Sequence, residues 1–312
     1  MSDLTIKGRS RPWRVKHLAG QKVAAAYSAL GQPWKAARCR DCGTVLSFME
    51  CPVDGQKRLK AANFCRERLC PMCAWRRSLK WAAEVSLVLH RAAVEHPEWG
   101  YVMVTLTQRN VPGADLPDEI SRILQGWDKF RRRQEFRAVA GWLRTLEVTR
   151  NESMGEWHPH IHALLAVEPD YWHKRYVSHA RWVALWRDVL GLDYDPSVEV
   201  HRVKARRKGD SLDAAAQEVG KYAVKDADLI GDGTDVIARV ATLDAALKGR
   251  RLLAWGGALR ELARQVAVDV PEGEEDLVRI TGEDHGDTCP VCGTDMREHV
   301  YRWLEVAREY VG

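Results

Sequence analysis

The chain is expected to fold as an α+β protein on a central antiparallel sheet with flanking helices, joined to a cysteine-rich zinc-binding region. Three features carry that expectation. Residues 142–150 (WLRTLEVTR) and 158–167 (HPHIHALLAV) are strand-like runs joined by the turn-type stretch NESMGE, so they read as a hairpin, not as parallel strands of a crossover unit. Strand and helix patterns are interspersed around that hairpin. A turn-rich, cysteine-dense stretch runs from Cys39 to Cys73.

Taken in order, residues 1–38 read as irregular, with scattered Gly and Pro. Residues 74–95 (AWRRSLKWAAEVSLVLHRAAVE) predict a long amphipathic helix, with Leu79, Ala82, Ala83 and Leu87 at roughly helical spacing, ended by His96-Pro97. Residues 101–108 (YVMVTLTQ) are rich in β-branched residues and predict a strand. A helix follows at 116–136, where Pro117 suits a first turn. Beyond the hairpin, helices are expected at 170–190 and 211–227 with a strand at 197–204 between them. Residues 233–267 read as mostly helical, interrupted at Gly256-Gly257. An acidic linker then leads to a small piece holding Cys289 and Cys292.

The 312 residues can hold one large domain or two ordinary ones, and a hydrophobic share of 46% allows a packed core. No run approaches about 18 apolar residues, so no membrane span is expected. The N-terminus lacks the apolar stretch of a signal peptide, which predicts an intracellular, cytoplasmic protein. Eight cysteines in such a chain are not read as a disulfide framework. The net charge is +5, and its distribution says more than its sum. Arg76, Arg77 and Lys80 form one basic cluster, Arg131, Arg132 and Arg133 a second, and Lys204, Arg206, Arg207 and Lys208 a third, while residues 269–287 run acidic. This pattern suits a polyanionic partner, and it equally suits solvated helix faces.

Two constellations carry chemistry. His160 and His162, two apart in a strand, project from one face and make half of a divalent-metal site. A bare His-x-His is more often a solvated pair. If NESMGE closes the hairpin with Arg150 opposite Trp157, however, Glu147 lies directly opposite His160, about 5 Å away between β-carbons. Two imidazoles and a carboxylate with open positions make a Lewis-acid site instead of a closed structural one. His158 shares their parity and is a spare candidate. In QEVGKYAVKD (217–226), Glu218 and Tyr222 are four apart on the predicted helix and share a face. A phenol becomes a useful nucleophile only when a neighbouring cation favours phenolate, and Lys221 and Lys225 flank it. Alone, Tyr222 would pass for a core residue. A nucleophile, a candidate base and a metal site in one chain shift the balance.

The motifs YVMVTLTQRN, WHPHIHALL and QEVGKYAVKD, in this order, resemble the rolling-circle replication initiators of small bacterial plasmids, within the HUH endonuclease superfamily. CGTVLSF…ANFCRERLCPMCAWRRSLK at 42–80 and ALKGRRLLAWGG at 246–257 are similar too, so the resemblance covers about residues 40–265. It implies a five-stranded antiparallel sheet and a nicking domain over 81–232, with a helical extension at 233–270. His160 and His162, with Glu147 as the candidate third ligand, would hold Mn²⁺ or Mg²⁺, with Tyr222 as the nicking tyrosine. Glu218 is similar to the glutamate with which one branch of the family terminates, and Lys225 would assist. The implied partners are single-stranded or hairpin origin DNA, a host helicase and a DNA polymerase, and a dimer is admitted. Residues 1–38 and the segment from 271 match nothing in the family pattern.

Cys39-x2-Cys42 and Cys70-x2-Cys73 make a plausible four-thiolate zinc site, with Cys51 and Cys65 as alternates. In a family-like reading Cys65, Cys70 and Cys73 with Cys42 make the rival set. Cys289-x2-Cys292 suggests a second zinc site, either with His285 and His299 or with Cys39 and Cys42. Two other functions stay open on the sequence: a transposase or relaxase using the same metal-plus-tyrosine logic, and a zinc-dependent DNA-binding regulator without catalysis.

Overall fold

The structure is a computed structural model that describes residues 5–6, 9–10, 12–203, 210–221, 223–266, 268, 270, 275–280 and 286–312. It forms two compact units. One comprises Met1–Lys80, Leu229–Ala241 and Gly273–Gly312, the other Trp81–Asp228 and Thr242–Glu272. The cysteine-rich region and the C-terminal tail thus fall in the same unit.

The first unit opens with a two-residue pairing of β1 (Thr5–Ile6) and β2 (Arg9–Ser10), then α1 (Trp13–Ala29) and α2 (Pro33–Asp41). These helices correct the irregular reading of residues 1–38. The buried side of α1 is built from Trp13, Ala19, Gly20, Val23, Ala24, Ala26 and Tyr27, small residues set between aromatic ones, which leaves only a weak apolar stripe in the sequence. Trp13 anchors it, edge-on to Phe48 (5.7 Å between ring centroids) and Trp75 (4.7 Å). The hairpin of β3 (Val45–Glu50) and β4 (Lys57–Ala62) follows, and α3 (Pro71–Glu95) begins at Pro71, where the missing N–H costs nothing.

In the second unit the strands are β5 (Gly100–Leu106), β6 (Val139–Asn151), β7 (Glu156–Val167), β8 (Val198–Val203) and β9 (Leu253–Gly257). They form one antiparallel five-stranded sheet in the order β8-β5-β7-β6-β9, so the expected α+β class and strand number hold. The β6–β7 hairpin pairs Arg150 with Trp157 and Glu147 with His160, the register that its loop length predicts. One face of the sheet (Tyr101, Met103, Leu143, Leu164, Ala166, Trp255) is covered by three helices. These are α3 with Val85, Val88 and Leu89, α6 (Asp210–Val219) with Leu212, Ala216 and Val219, and α9 (Ala258–Gln265) with Leu259 and Leu262. Of α4 (Leu116–Phe130), Phe130 meets Trp186 of α5 (His179–Leu190) edge-on and Trp182 at a tilt, and Trp127 meets Trp142 of β6 edge-on.

Expected helices differ in their bounds: 116–136 stops at Phe130, and 170–190 becomes α-helical only from His179. The stretch 211–227 stops at Val219, and a Cβ on the next residue, Gly220, would meet the Ala82 backbone at 2.7 Å. The chain there runs directly against α3, and the next helix, α7 (Asp226–Ile230), starts six residues later. The stretch 233–267, expected to be mostly helical with an interruption at Gly256-Gly257, is α8 (Val236–Leu247), strand β9 and α9. Gly256 lies under the ring of Trp142, where a Cβ would approach to 2.1 Å, and Gly257 takes a left-handed φ of +58° that starts α9. The interruption at these glycines is therefore an edge strand.

The tail returns to the first unit. β10 (Arg297–Leu304) pairs antiparallel with β3 from Arg297↔Glu50 to Arg302↔Val45, and β11 (Glu309–Val311) completes a four-stranded sheet in the order β11-β10-β3-β4. The sequence does not announce this sheet, since its central pairing joins strands from opposite ends of the chain. Among the described residues no helix is long and apolar enough to cross a membrane. The Gly256–Trp142 packing is testable: Gly256→Ala should destabilise the sheet edge by about 2 kcal/mol, read as a lower urea midpoint. An unchanged midpoint would show that Trp142 does not clamp this strand.

Candidate metal and catalytic site

On β7, His160 and His162 share the face of Leu164 and Ala166, and on β6 Glu147 shares that of Leu143. Towards one end of these strands the apolar residues under the helices give way to polar ones: Thr105, Thr145, Glu147, His160 and His162. The register sets their meeting, with Glu147 opposite His160, and Thr145 and Thr105 on either side of His162. Glu147 Oε2 lies 3.0 Å from His162 Nε2 and 3.4 Å from His160 Nε2. All three residues are buried or nearly so, and their ligand atoms lie within 4.8 Å of one another.

The far ring nitrogens are also held. His160 Nδ1 lies 3.1 Å from the His158 carbonyl, and His162 Nδ1 lies 3.1 Å from Thr105 Oγ1. A carbonyl only accepts, so Nδ1 of His160 carries a proton, and Nε2, on the Glu147 side, is the nitrogen that would bind a cation. Lone pairs converging on one point are what a divalent cation needs, so the donor set fits one, and the held Nδ1 atoms supply the outer contacts that orient metal-binding imidazoles. Burial opposes ionisation of Glu147, yet His160, His162 and Lys225 outweigh it and hold its carboxyl far below the usual carboxylate range. Lys225 Nζ lies 2.6 Å from the other oxygen, Oε1, while its side chain stays half exposed. His158 stacks on His160 (5.1 Å between centroids), and burial lowers its pKa, but it does not join the three. Thr105 was not singled out in the sequence, although its place opposite His162 on a strand of matching parity is a readable signal.

Tyr222 lies outside the described residues. The residue after it is placed: Ala223 is buried and its carbonyl accepts from the Val148 amide at 2.7 Å, next to Glu147 on β6. Glu218 lies in the last turn of α6, half exposed and paired with Lys221 at 2.6 Å. Since α6 ends at Val219, the four-residue spacing to position 222 is not spanned by one continuous helix, and Glu218 stands apart from the three clustered ligands.

The cysteines separate into two groups. Cys42, Cys65, Cys70 and Cys73 bring their sulfurs within 4.8 Å, all buried. Cys39, from the first of the two sets, is buried nearby but is not among those four. The amides of Cys65, Arg66 and Glu67 point at Cys42, Cys73 and Cys65 sulfurs at 3.2 to 3.4 Å, the donor contacts that stabilise thiolates. To turn these amides inward, Arg66 takes a left-handed φ of 61°. Hydrogen bonding with Cys39 and Cys65, with burial, pushes the Cys70 thiol well above its ordinary value, so four thiolates here call for a bound cation, which fits zinc. Cys51, Cys289 and Cys292 gather elsewhere, with Asp54. Neither sequence pairing for Cys289 and Cys292 is the one seen: His299 and the Cys39–Cys42 pair are not in that group, and His285 lies outside the described residues.

The basic clusters divide as well. Arg77 is fully buried against Glu275, and Arg76 donates to the carbonyls of Leu277 and Val278 at 2.9 Å while lying over the rings of Trp13 and Trp75. Neither guanidinium is open to a phosphate, which corrects their reading as a DNA surface. Arg131 pairs with Asp128 at 2.8 Å, and Arg132 and Arg133 are exposed. Lys204, Arg206 and Arg207 lie outside the described residues.

Two imidazoles and a carboxylate at one end of the sheet, with Lys225 against the carboxylate, make a candidate metal-binding site on an antiparallel α+β scaffold. The sequence profile described as "Replication protein" (Rep_1) matches residues 56–311. The chain is 38% identical to a Protein rep of Bacillus amyloliquefaciens, over 91% of this chain and 90% of that protein. It is 35% identical to a Protein rep of Streptococcus pneumoniae serotype 2 (91% and 88%) and 34% identical to one of Lactiplantibacillus plantarum (91% and 90%). No solved structure matches. The chain belongs to the replication protein family of plasmid replication initiators.

The two cysteine sets offered by the sequence give opposite expectations. Cys65→Ser should cost the protein one zinc ion and Cys39→Ser should leave the zinc content unchanged, as measured by elemental analysis of the purified chains. Equal zinc loss in both variants would put Cys39 among the ligands.

Proposed function

We propose that this replication protein starts rolling-circle replication of a plasmid as a site-specific DNA endonuclease and strand transferase of the HUH type. The observation that carries the reading is the convergence of Glu147, His160 and His162, with Lys225 on the second oxygen of Glu147. A Mn²⁺ or Mg²⁺ ion held by these three residues would supply Lewis-acid polarisation of the scissile phosphate.

The residues of the chain divide the remaining work. Glu147 stays ionised and orients both imidazoles through Oε2. Lys225, half exposed, offers its ammonium to the phosphate and favours phenolate at Tyr222. The Tyr222 oxygen forms the new bond to phosphorus while the bond to the 3′ oxygen breaks. That oxygen takes up a proton as a 3′-OH primer, and the 5′ end is kept as a phosphotyrosine. The exchange of one phosphodiester for another needs no ATP. After a round of synthesis, Glu218 accepts a proton from water that cleaves the regenerated site. Arg131, Arg132 and the run with Lys204, Arg206 and Arg207 contact backbone phosphates of the origin strand, and Cys42, Cys65, Cys70 and Cys73 hold a structural zinc.

The reading is tested by incubating the protein with single-stranded origin DNA and Mn²⁺ and looking for a denaturation-resistant adduct. Tyr222→Phe should bind origin DNA normally and form no adduct, and EDTA should abolish the adduct in the parent protein. An adduct in the Phe variant would place the nucleophile on another residue, and binding without any adduct in the parent would favour a non-catalytic regulator.

Glu218→Gln separates initiation from termination. It should nick at close to the parental rate and release products longer than one plasmid unit. If Glu218 were instead the base for Tyr222, nicking itself would fall by about 10²-fold or more.

A further inference from the structure

Cys51-Pro-Val-Asp54-Gly55 and Cys289-Pro-Val-Cys292-Gly293 are the same pentapeptide but for one residue, at opposite ends of the chain. They also fold alike. Gly55 N donates to Cys51 O (3.1 Å) and Gly293 N to Cys289 O (2.8 Å). Cys51 N donates to Gln56 O and Cys289 N to Thr294 O, both at 2.8 Å. Both glycines take a left-handed φ, +69° and +71°, which closes each loop tightly. Each loop therefore turns its first and fourth side chains to one side.

The two loops face each other across one end of the four-stranded sheet, where β3 ends and β10 begins beside the pair Glu50↔Arg297. Cys51 Sγ lies 3.5 Å from Cys292 Sγ, and Cys289 Sγ lies 3.1 Å from Asp54 Oδ2. All four ligand atoms are within 4.8 Å of one another. We propose that Cys51, Asp54, Cys289 and Cys292 form a second structural metal site, which takes zinc through three thiolates and one carboxylate.

The donor chemistry and the outer contacts agree. Three sulfurs and one oxygen in a closed four-ligand set suit zinc, whereas hard cations such as Mg²⁺ and Ca²⁺ prefer all-oxygen sites. The residue two beyond the fourth ligand plays the same part in both loops. The Gln56 amide holds Asp54 Oδ1 at 3.0 Å, leaving Oδ2 for the metal, and the Thr294 amide hydrogen-bonds Cys292. The amides of Val53 and Asp54 do the same for Cys51. Met49 and Met296 pack on Cys51 and Cys289 and keep water from that side of the site. Asp54 thus stands where the sister loop has a cysteine. Because the ligands come from both ends of the chain, a metal here holds β10 and β11 onto β3 and ties its binding energy to folding.

The full-length protein provides the test. Cys289→Ser combined with Cys292→Ser should lower the zinc content by one ion per chain relative to the parent, whatever Cys42, Cys65, Cys70 and Cys73 hold. Asp54→Cys should keep that zinc and release it to a chelator more slowly, and Asp54→Ala should release it at least about tenfold faster. Should the double variant fail to fold, alkylation mapping of the parent decides. Cys292 is solvent-exposed, so without a metal it would react at once. Protection of Cys51, Cys289 and Cys292 that is lifted by a chelator supports the site. The same zinc content in parent and double variant, alkylation unaffected by chelator, or a Cys51–Cys292 disulfide in the isolated protein would overturn it.

Discussion

The register of the β6–β7 hairpin is the constraint on which the candidate site depends. Side chains alternate between faces with a period of two, so a slip of one residue would turn Glu147 away from His160 and His162 and push it into the opposite layer. The slip is resisted from both ends. Leu143, Leu164 and Ala166 are fully buried on the same face under α3, α6 and α9, and any shift would expose them. At the other end Val111 pairs with Trp157 through two 2.8 Å backbone hydrogen bonds, which hold the start of β7. The hydrophobic layer thus fixes the polar one, and the ligands need no loop to position them.

The elements that bring Lys225 to Glu147 follow from the same packing. α6 covers the sheet with Ala216 and Val219 and ends just before Gly220, which lies against the backbone of Ala82. The chain then crosses to β6, tied by Ala223 to Val148 and by Asp228 to the amide of Arg150 at 2.9 Å. A bulkier residue at 220 would lift the end of α6 and with it the segment carrying residues 221–225. Glycine there acts through geometry alone, by letting two backbones touch.

How far this was legible in the sequence follows from the range of the interactions. The hairpin, its register and the Glu147–His160 pairing are local, fixed by a short loop and a period of two, and they could be read directly. The helix end before Gly220 could not, and the interruption at Gly256-Gly257 could be read but not its edge strand, because the backbone of Ala82 and the ring of Trp142 that lie against these glycines come from distant parts of the chain. The four-stranded sheet joins β3 to β10 from the far end of the chain, and no periodicity encodes such a pairing. Cysteine spacing likewise shows which residues are candidates without showing which sulfurs meet. Cys39-x2-Cys42 resembles a ligand pair, yet Cys65, with no such spacing, sits with Cys42, Cys70 and Cys73.

The arginines show why charge counting misleads here. Several guanidiniums serve as internal connectors for irregular backbone. Arg76 holds the carbonyls of Leu277 and Val278, and Arg144 holds those of Arg251 and Leu252 at 3.0 and 3.2 Å. Arg77 meets Glu275 with neither group exposed to water. A guanidinium presents five donors in a fixed fork and stays charged even at a cost, as in Arg144, where burial lowers the pKa to about 10. Such residues tie turns and segment ends to the core, where free carbonyls would otherwise be costly. Their donors are turned to backbone carbonyls or a carboxylate and are not presented to a phosphate outside. A basic cluster in the sequence is therefore evidence of a polyanion surface only after its buried members are removed. Of the first two clusters that leaves the partly exposed Lys80 and Arg131 and the exposed Arg132 and Arg133.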